Sequence, residues 1–142
     1  MKHDFRIGVM EADIDSAVDA DMTRQGLLEL DTSDVDLAIL ENVGNLVCPA
    51  EFDTGAVKNA MILSVPEGDD KPLKYPLMFQ VCQCLLINKI DVLPYFDFDL
   101  EECKKRVLKL NPDMKIIPIS ARTGEGMDEW IDWLERRNQF LE

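Results

Sequence analysis

Asn88-Lys89-Ile90-Asp91 sets an amide, a cation and a carboxylate within four residues, directly after the apolar run Cys84–Ile87. That run has the length of a short buried strand, and in an open α/β sheet ligands bind just beyond the carboxyl ends of strands. A carboxylate at such a point can accept hydrogen bonds from the N1–H and the 2-amino group of a guanine together. Adenine offers no matching pair of donors on that edge. Removing the partner of a buried charge is costly enough to support discrimination on the order of thousands-fold. The Asn88 amide can bond the other edge of the base or tie neighbouring loops together, and the Lys89 stem can lie along the base plane. The alternative for Asn88 and Asp91 is a strand-end turn that caps the next helix.

A second loop has matching chemistry. Lys115–Ser120 reads as another strand, and Ser120-Ala121-Arg122 ends it. The ~30 residues between the two loops leave room for one helix and a right-handed return to a parallel sheet. Asn-Lys-x-Asp followed by Ser-Ala-Arg resembles the guanine-specificity motifs of GTPases. In that pattern the alanine N–H donates to the guanine oxygen, and the resemblance assigns Asn88, Lys89, Asp91, Ser120, Ala121 and Arg122 to the base.

Other strand ends carry weaker signals. Phe5–Met10 reads as a strand running into Glu11, Asp13 and Asp15. These alternating acids can approach a magnesium ion through water, or simply decorate a helix N-terminus, which the macrodipole favours. Val35–Leu40, almost wholly apolar like a central parallel strand, runs into Glu41, with Gly44 three residues on. An acid so placed can hold the water shell of magnesium, and a glycine lets a backbone N–H approach a γ-phosphate. Cys48 lies in the same segment, either as a small hydrophobe or as a metal ligand. Cys82 and Cys84 read as core residues.

These loops need a scaffold, and the pattern supplies one. A further strand is expected over Asn59–Val65, and helices over Ser16–Leu30, Tyr75–Val81, Leu100–Leu110 and Met127–Phe140. Asp97 or Asp99 can cap the third helix. Pro66–Pro72, polar and framed by prolines, is expected to be a non-helical loop, either a solvated turn or a reach toward a partner subunit. Trp130 and Trp133 are expected on different faces of the last helix, one against the sheet and one toward a second subunit. The fold class is therefore α/β, doubly wound and mostly parallel with about five strands, in a single domain over residues 1–142.

Composition narrows the function. The chain of 142 residues carries a net charge of −13, which argues against nucleic acid and anionic membrane as partners. Its four cysteines, with no leader peptide and no long apolar stretch, suit reduced thiols in a cytoplasmic protein.

The segments Glu41–Asp53 and Glu67–Pro76, with Asn88–Asp91 and Gly124-Glu125-Gly126, closely resemble HypB, the GTPase family of [NiFe] hydrogenase maturation, rather than its urease-maturation cousin UreG. The resemblance runs from Phe5 to Leu134. It implies a G domain that binds GTP or GDP with Mg²⁺, forms a homodimer, and holds nickel or zinc at the dimer interface. It implies that Cys48 is a metal ligand, and that Lys71 sits on a loop extended toward the nucleotide of the neighbouring subunit. The nickel chaperone HypA and the hydrogenase large subunit are the implied partners.

Two departures from that pattern stand out. The phosphate loop G-x-x-x-x-G-K-[ST] is absent, and no Gly-Lys pair occurs anywhere. The family's Cys-His metal segment is missing between Asp15 and Met22, and the one histidine is His3. The expectation is thus a HypB-type domain without its N-terminal phosphate-loop unit. Its function is GTP-dependent nickel insertion or, alternatively, a non-catalytic module that binds guanine nucleotide weakly and serves as an interaction or metal-binding scaffold.

Overall fold

The computed structural model describes residues 5–14, 16–29, 31, 33–42 and 53–138. The chain divides into two compact units, residues 1–57 and 58–142. In the first, β1 (Ile7–Ala12) and β2 (Leu37–Asn42) pair in parallel, with Ile7 opposite Leu37 and Glu11 opposite Glu41. The helix α1 (Ala17–Glu29) connects them. Its start is set by Ser16, whose hydroxyl accepts from the Asp19 N–H at 3.2 Å and donates to the Asp19 carboxylate at 2.6 Å. A Cβ at Gly26 would stand 3.6 Å from the Met10 side chain, an ordinary van der Waals contact, so the packing of this helix on β1 does not require a glycine there.

The second unit holds β3 (Ala60–Ser64), α2 (Lys71–Lys74), α3 (Pro76–Val81), β4 (Cys84–Asn88), α4 (Leu100–Leu110), β5 (Lys115–Pro118) and α5 (Met127–Asn138). Its sheet has the order β3-β4-β5, all parallel. The central strand is buried at Cys84, Leu85, Leu86 and Ile87, because helices cover both faces of a parallel sheet. On one face Cys84, Leu86, Ile117 and Ile119 pack with Met127, Trp130 and Trp133. Cys82 and Cys103 are also buried, and burial pushes each thiol up to about 11. The expected strands are all present, divided between two parallel sheets.

Two expectations are corrected. The stretch after β3 is not a plain loop: Val65–Glu67 forms a 3₁₀ turn and Lys71–Lys74 a helical turn. Prolines do not prevent this, because in a first turn the missing N–H has no intrahelical acceptor in any case. The two tryptophans do not divide between faces either. Positions three apart are neighbours on a helix, and the rings stack with centroids 5.3 Å apart and planes 13° apart, both against the same core.

Candidate functional site

The site is built where β4 and β5 end side by side. Their ladder continues one step past the strands: the Ile119 N–H donates to the Ile87 carbonyl at 2.8 Å, and the Ile90 N–H to the Ile119 carbonyl at 3.2 Å. Both loops therefore leave the sheet in register. Lys89 then takes the left-handed conformation at φ 65°, the one described non-glycine residue with positive φ. A lysine held there carries local backbone strain, a feature that clusters at ligand sites. The bend sends the chain into a 3₁₀ turn over Ile90–Tyr95, with Asp91 in its first turn.

Asn88 joins the two loops. Its Oδ1 accepts from the Lys89 N–H at 2.8 Å and from the Ala121 N–H at 3.3 Å. The loop-tying role of the amide is the one adopted, and the Ala121 donor is directed at it. Ser120 is fully buried behind Asp91 and donates its hydroxyl to Asp91 Oδ1 at 2.7 Å. The same hydroxyl accepts from the Thr123 N–H at 3.2 Å, and the Ser120 N–H donates to the Glu125 carbonyl at 2.9 Å. Asp91 Oδ2 faces the Arg122 guanidinium at 4.0 Å; Arg122 is 85% exposed and Asp91 16%. At that exposure the ion pair contributes little to stability.

Asn88, Lys89, Asp91, Val92, Ala121 and Arg122 line one cavity of about 350 Å³. Five of the six residues expected at the base share this wall, and the sixth, Ser120, orients Asp91 from behind. Val92 is an addition that the motif did not point to. A half-buried carboxylate fixed by a serine, beside an apolar wall and an arginine plane, can accept two N–H donors from a flat heterocycle.

The remaining expected residues lie elsewhere. Glu41 is exposed at the carboxyl end of β2, in register with Glu11, and Asp13 is exposed beyond β1. Gly44, Cys48 and Asp15 lie outside the described residues. Among the described residues no three His, Cys, Asp or Glu side chains gather as a metal set. Lys71 sits in α2 with its ammonium 5.6 Å from the centroid of the Tyr75 ring. No helix of the described residues is long and apolar enough to cross a membrane.

Parallel strands that end in polar loops around one small cavity define an α/β protein of the kind that binds ligands at the carboxyl ends of its strands. The family described as CobW/HypB/UreG, nucleotide-binding domain, matches residues 8–118. The hydrogenase maturation factor HypB of Azotobacter vinelandii is 52% identical over 120 residues, which are 84% of this chain and 40% of that protein. The chain thus spans about two-fifths of the length of this curated relative. Among solved structures, HypB from Archaeoglobus fulgidus superposes with a TM-score of 0.83 at 34% identity, covering 94% of this chain and 76% of that one. HypB from Helicobacter pylori in complex with nickel gives 0.80 at 31% identity, covering 95% and 75%. The chain belongs to the CobW/HypB/UreG family and, within it, to the HypB proteins.

Proposed function

We propose that this chain reads guanine nucleotides, GTP and GDP, through Asp91 and serves GTP-linked nickel delivery to [NiFe] hydrogenase. The observation that carries the reading is the Ser120–Asp91 bond at 2.7 Å on the wall of the 350 Å³ cavity. That bond fixes the carboxylate rotamer in advance, so a base that supplies two donors meets an oriented acceptor. Lys89 and Arg122 flank the base plane, and Asn88 holds the two loops together.

In the same reading Glu41 and Gly44 serve the γ-phosphate side, and Cys48 takes the nickel or zinc cargo. Magnesium is bound with few protein carboxylates and much water and phosphate, so Glu41 serves as a donor, with Asp13 and Asp15 of the segment that follows the paired strand β1 as further donors. Lys71 reaches the nucleotide of a second copy in a homodimer. HypA and the hydrogenase large subunit are the partners, in the cytoplasm.

Because no Gly-Lys pair occurs in these 142 residues, a second reading has specific support: base recognition without turnover. Phosphoryl transfer rests on positioning and charge stabilisation at the phosphates, which a phosphate loop supplies.

The test exchanges the base-reading group. Asp91→Asn turns one acceptor into a donor, which suits the 2-oxo group of xanthine. Titration with fluorescent GDP and XDP should show GDP affinity falling by ~100-fold or more while XDP affinity rises. Equal affinities of the wild type for GDP and ADP would end the base-reading proposal. Measured GTP turnover then separates the two readings.

A further inference from the structure

The loop from Ser64 to Tyr75 is pinned far more tightly than a surface turn requires. Gly68 turns the chain at φ 94°, where a side chain would crowd Asp70. Every acid in the stretch is engaged. Glu67 accepts from the Ser64 N–H at 2.6 Å, and Asp70 pairs with Lys74 at 2.6 Å. Asp69 makes the long-range contacts. Its Oδ1 and its carbonyl both accept from Arg106 Nη1, at 2.8 and 2.9 Å, and its Oδ2 accepts from the Asp99 N–H at 2.7 Å. Asp99 is the N-cap of α4, and Arg106 lies two turns further along that helix, its Nε 3.5 Å from Glu102.

Arg106 and Asp69 are 24% and 21% exposed, so both are largely desolvated. A desolvated ion pair adds little net stability over apolar packing, and what it supplies is a defined geometry. The group presented by that geometry is Lys71, next in line after Asp70, whose ammonium lies over the Tyr75 ring and within Coulombic reach of the Asp70 carboxylate.

We infer that Arg106 and Asp69 are positioning residues: they clamp the Gly68–Tyr75 loop onto α4 so that the Lys71 ammonium is held ready for the phosphates of a nucleotide bound by a second copy of this chain. The inference rests on the Lys71 reading given above. Rigid presentation matters because a lysine on a free loop would lose its rotamer and backbone freedom on each encounter.

Two measurements on this chain test it. Amide hydrogen exchange over residues 68–75 should accelerate at least ~10-fold in Arg106→Ala and Asp69→Asn and stay unchanged in Lys71→Ala, as expected for loss of a charge-assisted pair. Sedimentation with a non-hydrolysable fluorescent GTP analogue should show self-association weakened by a similar ~10-fold in Lys71→Ala, Arg106→Ala and Asp69→Asn, with no further loss in the Lys71→Ala/Arg106→Ala double variant. Analogue binding to the base pocket, followed by its own fluorescence, should not change. Arg106→Lys should recover only part of the effect, because an ammonium lacks the planar fork.

Additive losses in the double variant, or unchanged exchange in Asp69→Asn, would overturn the clamp and leave the Lys71 reading intact. Unchanged association in Lys71→Ala would overturn the Lys71 reading and the clamp's purpose with it, even if exchange still accelerates.

Discussion

Gly126→Ala should be the most damaging small substitution near the base site, and Gly124→Ala is its control. Both glycines have positive φ, 75° and 83°, so an alanine at either costs about 1–2 kcal/mol of backbone strain. They differ in what a Cβ meets. At Gly124 nothing lies within 4 Å, whereas at Gly126 the Cβ would be driven into the Pro118 carbonyl oxygen and come within 3.1 Å of Ile119 Cγ2. Pro118 is in β5 and cannot yield without disturbing its pairing with Ile87. The turn must move instead, and the Ser120 N–H to Glu125 carbonyl bond and the Trp130 N–H to Gly126 carbonyl bond move with it. Losing one or two such bonds adds about 1–3 kcal/mol. The total is roughly 2–5 kcal/mol for Gly126→Ala against about 1–2 kcal/mol for Gly124→Ala. Urea unfolding followed by tryptophan emission is the suitable assay, because both tryptophans of the chain are the stacked pair in α5, beginning four residues after Gly126. Guanine affinity should fall in parallel, since the same turn holds Ser120 behind Asp91. If the two variants unfold within about 0.5 kcal/mol of each other, the close approach of turn to strand is not what requires a glycine there.

Asp99→Ala should cost about 1 kcal/mol, while Asp97→Ala, which the structure does not place in the cap, should be near neutral; chemical denaturation of the pair checks this, and equal losses would contradict the cap. Burial pushes the Cys82 and Cys103 thiols from 9.0 to about 11, with Asp69 adding to the rise at Cys103. In that window the unfolded chain has released these protons and the folded chain still holds them, so the stabilisation present below pH 9 is lost as pH climbs toward 11. Comparing urea midpoints of the wild type with Cys82→Ala and Cys103→Ala between pH 8 and 11 isolates the effect, and identical pH slopes would refute it.

Much of this molecule is legible in its sequence. Local patterns carry α4, because an acid at the N-cap and an amphipathic stripe both act within a turn or two. The strand β4 was legible as a short apolar run ending in polar chemistry. Other features were misread because their cause lies outside the local pattern. The Pro66–Pro72 segment reads as a proline-framed loop, yet Asp69 finds partners on a helix thirty or more residues away. The tryptophan pair was divided between faces by counting a stripe, whereas helical neighbours at i and i+3 stack against one core.

By itself the sequence determined the chemistry on offer: an Asn-Lys-x-Asp and a Ser-Ala-Arg at the ends of two apolar strands. Only the tertiary structure decided what those groups do to one another. Parallel pairing of β4 and β5 puts Ser120 2.7 Å from Asp91, turns Asn88 into the tie between two loops, and sets Arg122 across the same cavity. The reason is physical: residue types follow from the chain, but a hydrogen bond between groups 29 positions apart exists only once a shared ladder fixes the register of both strands.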